Sequence, residues 1–235
     1  MSAPAKRAPA RKPGRIVLSA IAGSAALAVI AWGAWYGYGL VSGEPVRHVV
    51  FAGEVDRLSG VELEAFAHAV RAAPDASLAA IRASARRVPW VRDATVRRVF
   101  PDSIEVTFSV YTAFARWNDA ELVTDAGDVF AAPETRALPR LRGPAGSAPR
   151  VVHEYLLVTA ALAPLAVPVR ELRLSARGAW QATLASGLTV ALGPGDWRPR
   201  AERFARAWPL LAEAARATDY ADLRYPGGFA LRKPR

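Results

Sequence analysis

From Ile16 to Val41 the chain carries no charged residue and no polar face. At about 1.5 Å rise per residue, a helix of that length crosses the roughly 30 Å hydrocarbon core of a bilayer with room for tilt. Trp32, Trp35, Tyr36 and Tyr38 gather at its C-terminal end, where aromatic rings favour the headgroup interface. Lys6, Arg7, Arg11, Lys12 and Arg15 precede it with no acidic residue among them. The positive-inside rule therefore keeps residues 1–15 in the cytoplasm and places everything after residue 41 outside it. A cleaved signal peptide shares this polarity, but its apolar core is about half as long and it ends in small residues rather than aromatic ones. The pattern predicts a single-pass anchor.

Beyond the polar linker Ser42–Pro45 the periodicity changes. Val46 to Phe51 reads as a strand closed by Gly53. Ser59 and Glu62 form a capping box ahead of Val61, Leu63, Phe66, Ala69 and Val70, which fall at helical spacing. Leu78, Ile81, Ala85 and Val88 mark a second helix, stopped by Pro89. Val91 to Val99 is a strand, Phe100 to Ser103 a turn, and Ile104, Val106, Phe108 and Val110 alternate with polar residues in a third strand. The predicted order over 46–112 is β-α-α-β-β, most simply a three-stranded sheet with both helices on one face. Trp90 and Phe100, which flank the second strand, are expected under the helices.

Residues 113–235 predict a second unit. Short strands at Ala113–Trp117, Glu121–Thr124 and Val129–Phe130 surround Asn-Asp and Asp-Ala-Gly turns. Leu138–Gly146 reads as a Pro/Gly loop and Val151–Ala163 as a helix. Val169–Leu174, Ala179–Leu184 and Leu188–Leu192 form a meander. Arg200–Ala217 is a helix that Pro209 must kink or bound. Tyr220–Leu231 is the last strand candidate, interrupted by Pro226-Gly227-Gly228 and with no later strand to pair with it. The fold class is α+β: a transmembrane helix, a β-α-α-β-β unit, and a mixed α/β unit built on a mainly antiparallel sheet.

The formal charge of +10 invites a nucleic-acid partner, but half of it sits in the first fifteen residues and serves topology. The chain has no cysteine, which excludes disulfides, thiolate metal sites and a Cys nucleophile. His48, His68 and His153 share no ligand spacing. Gly143–Ser147 and Gly193–Gly195 are followed by no Lys-Ser/Thr and read as turns. No nucleophile elbow, zinc motif or carboxylate pair is present. No catalytic residue, metal, cofactor or small-molecule substrate is expected, and an exported scaffold fits better than an enzyme.

Several segments carry a resemblance. Val88-Pro-Trp-Val-Arg-Asp-Ala-Thr-Val-Arg-Arg-Val-Phe-Pro-Asp-Ser-Ile104 is similar to the end of the POTRA (polypeptide-transport-associated) domain of the bacterial FtsQ/DivIB cell division family. Ala115-Arg-Trp-Asn-Asp119, Leu138–Ser147 and Tyr220-Ala-Asp-Leu-Arg-Tyr225 resemble later segments of its proteobacterial form. The resemblance implies a non-enzymatic divisome component of the inner membrane and division septum, with its C-terminus in the periplasm. It implies partners FtsB and FtsL, a link to septal peptidoglycan synthesis, and an FtsB strand added at the last strand. Arg224 and Tyr225 match the motif that carries this role. Arg177 is a second cation suggested on a neighbouring strand, and Phe229 is included for its expected exposure beside Gly228. Pro226 lacks a backbone donor, which bears on the register of any added strand. A module of an outer-membrane transport or secretion system is the alternative; a membrane-anchored cell-wall hydrolase is a third reading that lacks a site.

Overall fold

The computed structural model describes residues 28–37, 46–73, 75–211, 213 and 217–232. Residues 28–37 are helical, and Trp32 stacks on Tyr36 with ring centroids 5.6 Å apart. The rest of the expected 16–41 span and the basic tail lie outside the described residues. Among those described, no helix is long and apolar enough to cross a membrane.

The first unit has the expected order: β1 (His48–Gly53), α1 (Gly60–Ala72), α2 (Leu78–Ala85), β2 (Val91–Val99) and β3 (Ser103–Val110). The sheet order is β1-β3-β2, with β1 parallel and β2 antiparallel to β3. The capping box forms: Ser59 Oγ accepts from the Glu62 N–H at 3.2 Å, and the Ser59 N–H donates to the Glu62 carboxylate at 2.9 Å. Ser77 Oγ caps α2 by accepting from the Ala80 N–H at 3.1 Å. Ile104, Val106 and Phe108 point under the helices and are buried. Phe51, Phe66 and Phe108 meet there with centroids 5.8 to 6.2 Å apart.

The two flanking aromatics part company. Trp90 is buried, in a left-handed backbone conformation (φ 71°). Its ring meets Phe130 of the second unit at 5.6 Å and the Arg57 guanidinium at 5.3 Å. Phe100 does not pack under the helices; it is 61% exposed. The reason is length. An eight-residue helix such as α2 spans about 12 Å, whereas a nine-residue strand such as β2 spans about 30 Å, so the strand outruns its cover.

The second unit is one nine-stranded sheet: β4 (Ala115–Trp117), β5 (Glu121–Val123), β6 (Val129–Phe130), β7 (Arg140–Arg142), β8 (Val169–Leu174), β9 (Trp180–Leu184), β10 (Thr189–Gly193), β11 (Tyr220–Asp222) and β12 (Ala230–Arg232). The order is β12-β11-β10-β9-β8-β7-β4-β5-β6. The sheet, expected to be mainly antiparallel, is mixed: five of its eight pairings are antiparallel, while β4–β7, β7–β8 and β10–β11 pair in parallel. Two of these pairs are joined by a helix, as parallel neighbours require. The helix α3 (Ala148–Ala161) links β7 to β8, and α4 (Arg198–Ala207) links β10 to β11. The expected loop 138–146 contains β7. A short 3-10 turn, Trp208–Leu210, follows α4, so Pro209 bounds the helix.

Val151 and Val158 of α3, and Ala201 and Phe204 of α4, share one core with Trp117, Leu172, Trp180 and Leu192. On the other face, Leu122 and Phe130 belong to the core of the first unit, together with Trp90 and Ala113. Tyr111 stacks on Phe130 at 4.5 Å with the planes 14° apart. Trp90→Ala should therefore cost about 3–5 kcal/mol, whereas Phe100→Ala should stay within about 0.5 kcal/mol. Denaturant unfolding of the two variants checks this, and equal losses would contradict the placement.

A candidate partner-binding edge

The segment expected to be one terminal strand is two. β11 lies between β10 and β12, and Tyr220, Ala221 and Asp222 pair with Arg232, Leu231 and Ala230. Pro226, Gly227 and Gly228 form the connection, so Pro226 removes no donor from the β11–β12 ladder. The edge of the sheet is β12, and among the described residues no strand lies on its outer side.

Arg224 follows β11 and folds back onto Asp222. Asp222 Oδ1 accepts from the Arg224 backbone N–H at 3.0 Å and from Nε at 2.8 Å; Oδ2 accepts from Nη2 at 2.6 Å. The carboxylate side chain is 12% exposed and the guanidinium side chain 60%. The guanidinium holds the Asp222 carboxyl below its ordinary range, against burial, which pushes it up. Arg224 is raised in turn, first by its hydrogen bonds to Asp222. The Arg224 stem crosses Gly193, where a Cβ would stand 2.8 Å from Arg224 Cγ and the backbone has φ 80°. Glycine is required there on both counts.

The connection is held from beneath by α4. Arg203 Nη2 donates to the carbonyls of Tyr225 at 3.1 Å and Gly228 at 3.3 Å. Arg200 donates to the carbonyls of Leu192 at 2.9 Å and Pro194 at 2.7 Å, closing the end of β10. Phe229 is not exposed as expected. It packs edge-on against fully buried Phe204 with centroids 5.0 Å apart and pins the connection to the core. Tyr225 is 55% exposed.

Arg177 is exposed in the β8–β9 turn, which Gly178 closes at φ 76°. Trp180 pairs with Gly193 and Ala191 with Asp222, so this turn and the Arg224–Tyr225 segment lie at the same end of the sheet. With strands about 4.8 Å apart, β9 and β11 are separated by about 10 Å. Sequence reasoning missed Asp222 and β12. The Asp-x-Arg spacing, which puts both side chains on one face of an extended chain, was the available signal for the first.

No group of His, Cys, Asp or Glu able to hold a metal occurs among the described residues. A POTRA-like unit fused to a mixed sheet with an open edge defines a protein-interaction architecture. Residues 115–224 match the C-terminal domain of cell division protein FtsQ/DivIB, and residues 74–108 match the FtsQ-type POTRA domain. The cell division protein FtsQ of Nitrosospira multiformis is 35% identical over 159 residues, 67% of each chain. That of Bordetella pertussis is 37% identical over 166 residues, 61% of each chain. That of Escherichia coli is 35% identical over 154 residues, 62% of this chain and 56% of its own. The chain belongs to the FtsQ/DivIB family of bacterial cell division proteins. It spans roughly three-fifths of the length of the B. pertussis and E. coli relatives it matches.

The depressed Asp222 carboxyl carries a sign. Its interaction with Arg224 adds stability above the unfolded value, near 3.8, and loses it as pH falls through the lower folded value. Asp222→Asn should be less stable than the parent at neutral pH, and the gap should close below the ordinary carboxylate range. A gap that persists unchanged into acid would place the effect elsewhere.

Proposed function

We propose that the protein is a non-catalytic scaffold of the division machinery. A single helix within 16–41 anchors it in the inner membrane, with the N-terminus cytoplasmic and the folded part in the periplasm at the division septum. There it binds FtsB and FtsL and links early division proteins to septal peptidoglycan synthesis. The observation that carries the partner site is the open edge of β12 beside an exposed tyrosine and two exposed arginines. An extended FtsB segment adds to β12, and backbone hydrogen bonds supply much of the affinity. Tyr225 offers a flat ring with a polar tip, and Arg177 and Arg224 meet carboxylates of the partner; these residue types dominate interface hot spots. Phe229 acts from behind by fixing the connection, not by touching FtsB.

The test is binding of a soluble periplasmic FtsB fragment. Tyr225→Ala and Arg177→Glu each weaken binding, Tyr225→Ala by about 2 kcal/mol or more, with the melting temperature unchanged. Arg224→Glu is a poorer probe, since it sets a second carboxylate against buried Asp222. Unaltered affinity in both clean variants moves the site away from this end of the sheet.

Topology has its own test. A reporter fused behind Arg235 is active only outside the cytoplasm, and a cytoplasmically active fusion would overturn the anchor reading.

A further inference from the structure

Exposed apolar side chains gather at one end of the first unit, and it is the end at which the chain arrives from the expected anchor. The backbone N–H groups of Arg47 and His48 both donate to the Asp102 carbonyl, at 2.8 and 3.3 Å. The arriving chain is thereby fastened to the β2–β3 turn. That turn carries Phe100, 61% exposed, directly after Val99 at the end of β2, 37% exposed. Leu78, 40% exposed, opens α2 at the same end, where Asp75 and Leu78 line a cavity of about 440 Å³ with Arg98 and Ile104. Arg47 and His48 are exposed beside them. The charges nearby include the carboxylates of Asp75 and Asp102, and Arg97 is tied to Glu105.

Single exposed apolar residues are ordinary on protein surfaces. These three differ in where they lie. If the anchor ends at Val41, five Cα steps separate it from Val46, a reach of at most about 18 Å. Phe100 lies two residues from the carbonyl that holds Arg47 and His48. It cannot be far from the membrane surface.

We propose that this end of the first unit rests on the outer surface of the anchoring bilayer. Phe100 and Val99 sit in the headgroup interface and Arg47 lies at the level of the lipid phosphates. Aromatic rings and cations are the side chains that favour this layer. The partner is phospholipid, and the inference rests on the anchor reading above. Two points of attachment, tether and turn, fix the tilt of the sheet where one tether would let it swivel. The far end of β1 then stands about 20 Å above the surface, six residues of extended chain away.

The chain has no native cysteine, so one introduced thiol takes a single environment-sensitive fluorophore. Full-length Phe100→Cys, Asp56→Cys and Ala31→Cys are labelled with NBD and reconstituted in phosphatidylethanolamine–phosphatidylglycerol vesicles. Nitroxide lipids labelled at the headgroup or deep in the acyl chain are then added. The Phe100 label should emit at shorter wavelength than the Asp56 label and lose fluorescence to the headgroup nitroxide. Asp56 lies past the far end of β1 and should escape both quenchers. If the Phe100 label emits as in water while the Ala31 label is quenched by the deep nitroxide, the anchor stands and the proposal falls. Equal quenching at Phe100 and Asp56 means the sheet lies flat, which also overturns it. If the Ala31 label escapes the deep nitroxide, the anchor reading fails and takes the proposal with it.

Discussion

Phe130 is the ring on which the two units meet. It comes from a two-residue strand at one end of the nine-stranded sheet, yet it is buried between Trp90 and Tyr111 of the first unit. Aromatic pairs of this kind add about 0.5–1.5 kcal/mol each beyond the area they bury. Trp90 makes its contact from a left-handed backbone that an L-residue adopts at some cost. The contact stands because the packing outweighs that cost. Its consequence is positional. The first unit occupies the β6 end of the sheet, and the open strand lies eight strand spacings away, about 38 Å. Ligands bound at the two ends would not compete for space.

Away from β5 and β6, where the first unit covers it, the sheet face that the helices leave bare is largely polar. Arg140, Arg173, Gln181 and Arg232 lie on that face, while Leu141, Leu172, Ala182 and Val190 point into the helical core. Arg142 and Arg173 are direct cross-strand neighbours, an unfavourable pairing of like charges. Asp119 and Glu171 reach Arg142 at 2.7 and 3.4 Å and relieve it. Such partly exposed pairs orient side chains more than they hold the fold. The hold comes from α3 and α4 crossing the buried face.

What the sequence made legible was local. The Ser59–Glu62 box and the alternation of β3 depend on residues three or two apart, and both formed as read. β7 was illegible because three residues, Arg140 to Arg142, make no periodic signal amid prolines and glycines. It forms because β4 and β8 flank it on both sides. Phe100 was assigned to the core by its type; its exposure follows from the unequal lengths of α2 and β2, which no single-residue rule contains. Phe229 went wrong for a related reason, since its partner Phe204 lies on a helix earlier in the chain. Arg224 and Tyr225 came from resemblance rather than from pattern.

The Asp222–Arg224 pair bears on how a partner could be read at this edge. A guanidinium has five N–H groups. Nε and one hydrogen of Nη2 are directed at Asp222, which leaves three for a ligand. Arg224 cannot swing away without stranding a carboxylate that is 12% exposed, and an unpaired buried charge is costly. The arginine is therefore an ordered donor before any partner arrives, and little side-chain freedom is lost on binding. Its charge, however, is already balanced by Asp222, so long-range attraction at this end would fall more to Arg177, which has no carboxylate partner among the described residues. Under the proposed partner reading the labour would divide: Arg177 would draw an acidic segment in, Arg224 would set its geometry, and the Tyr225 ring would supply the contact area.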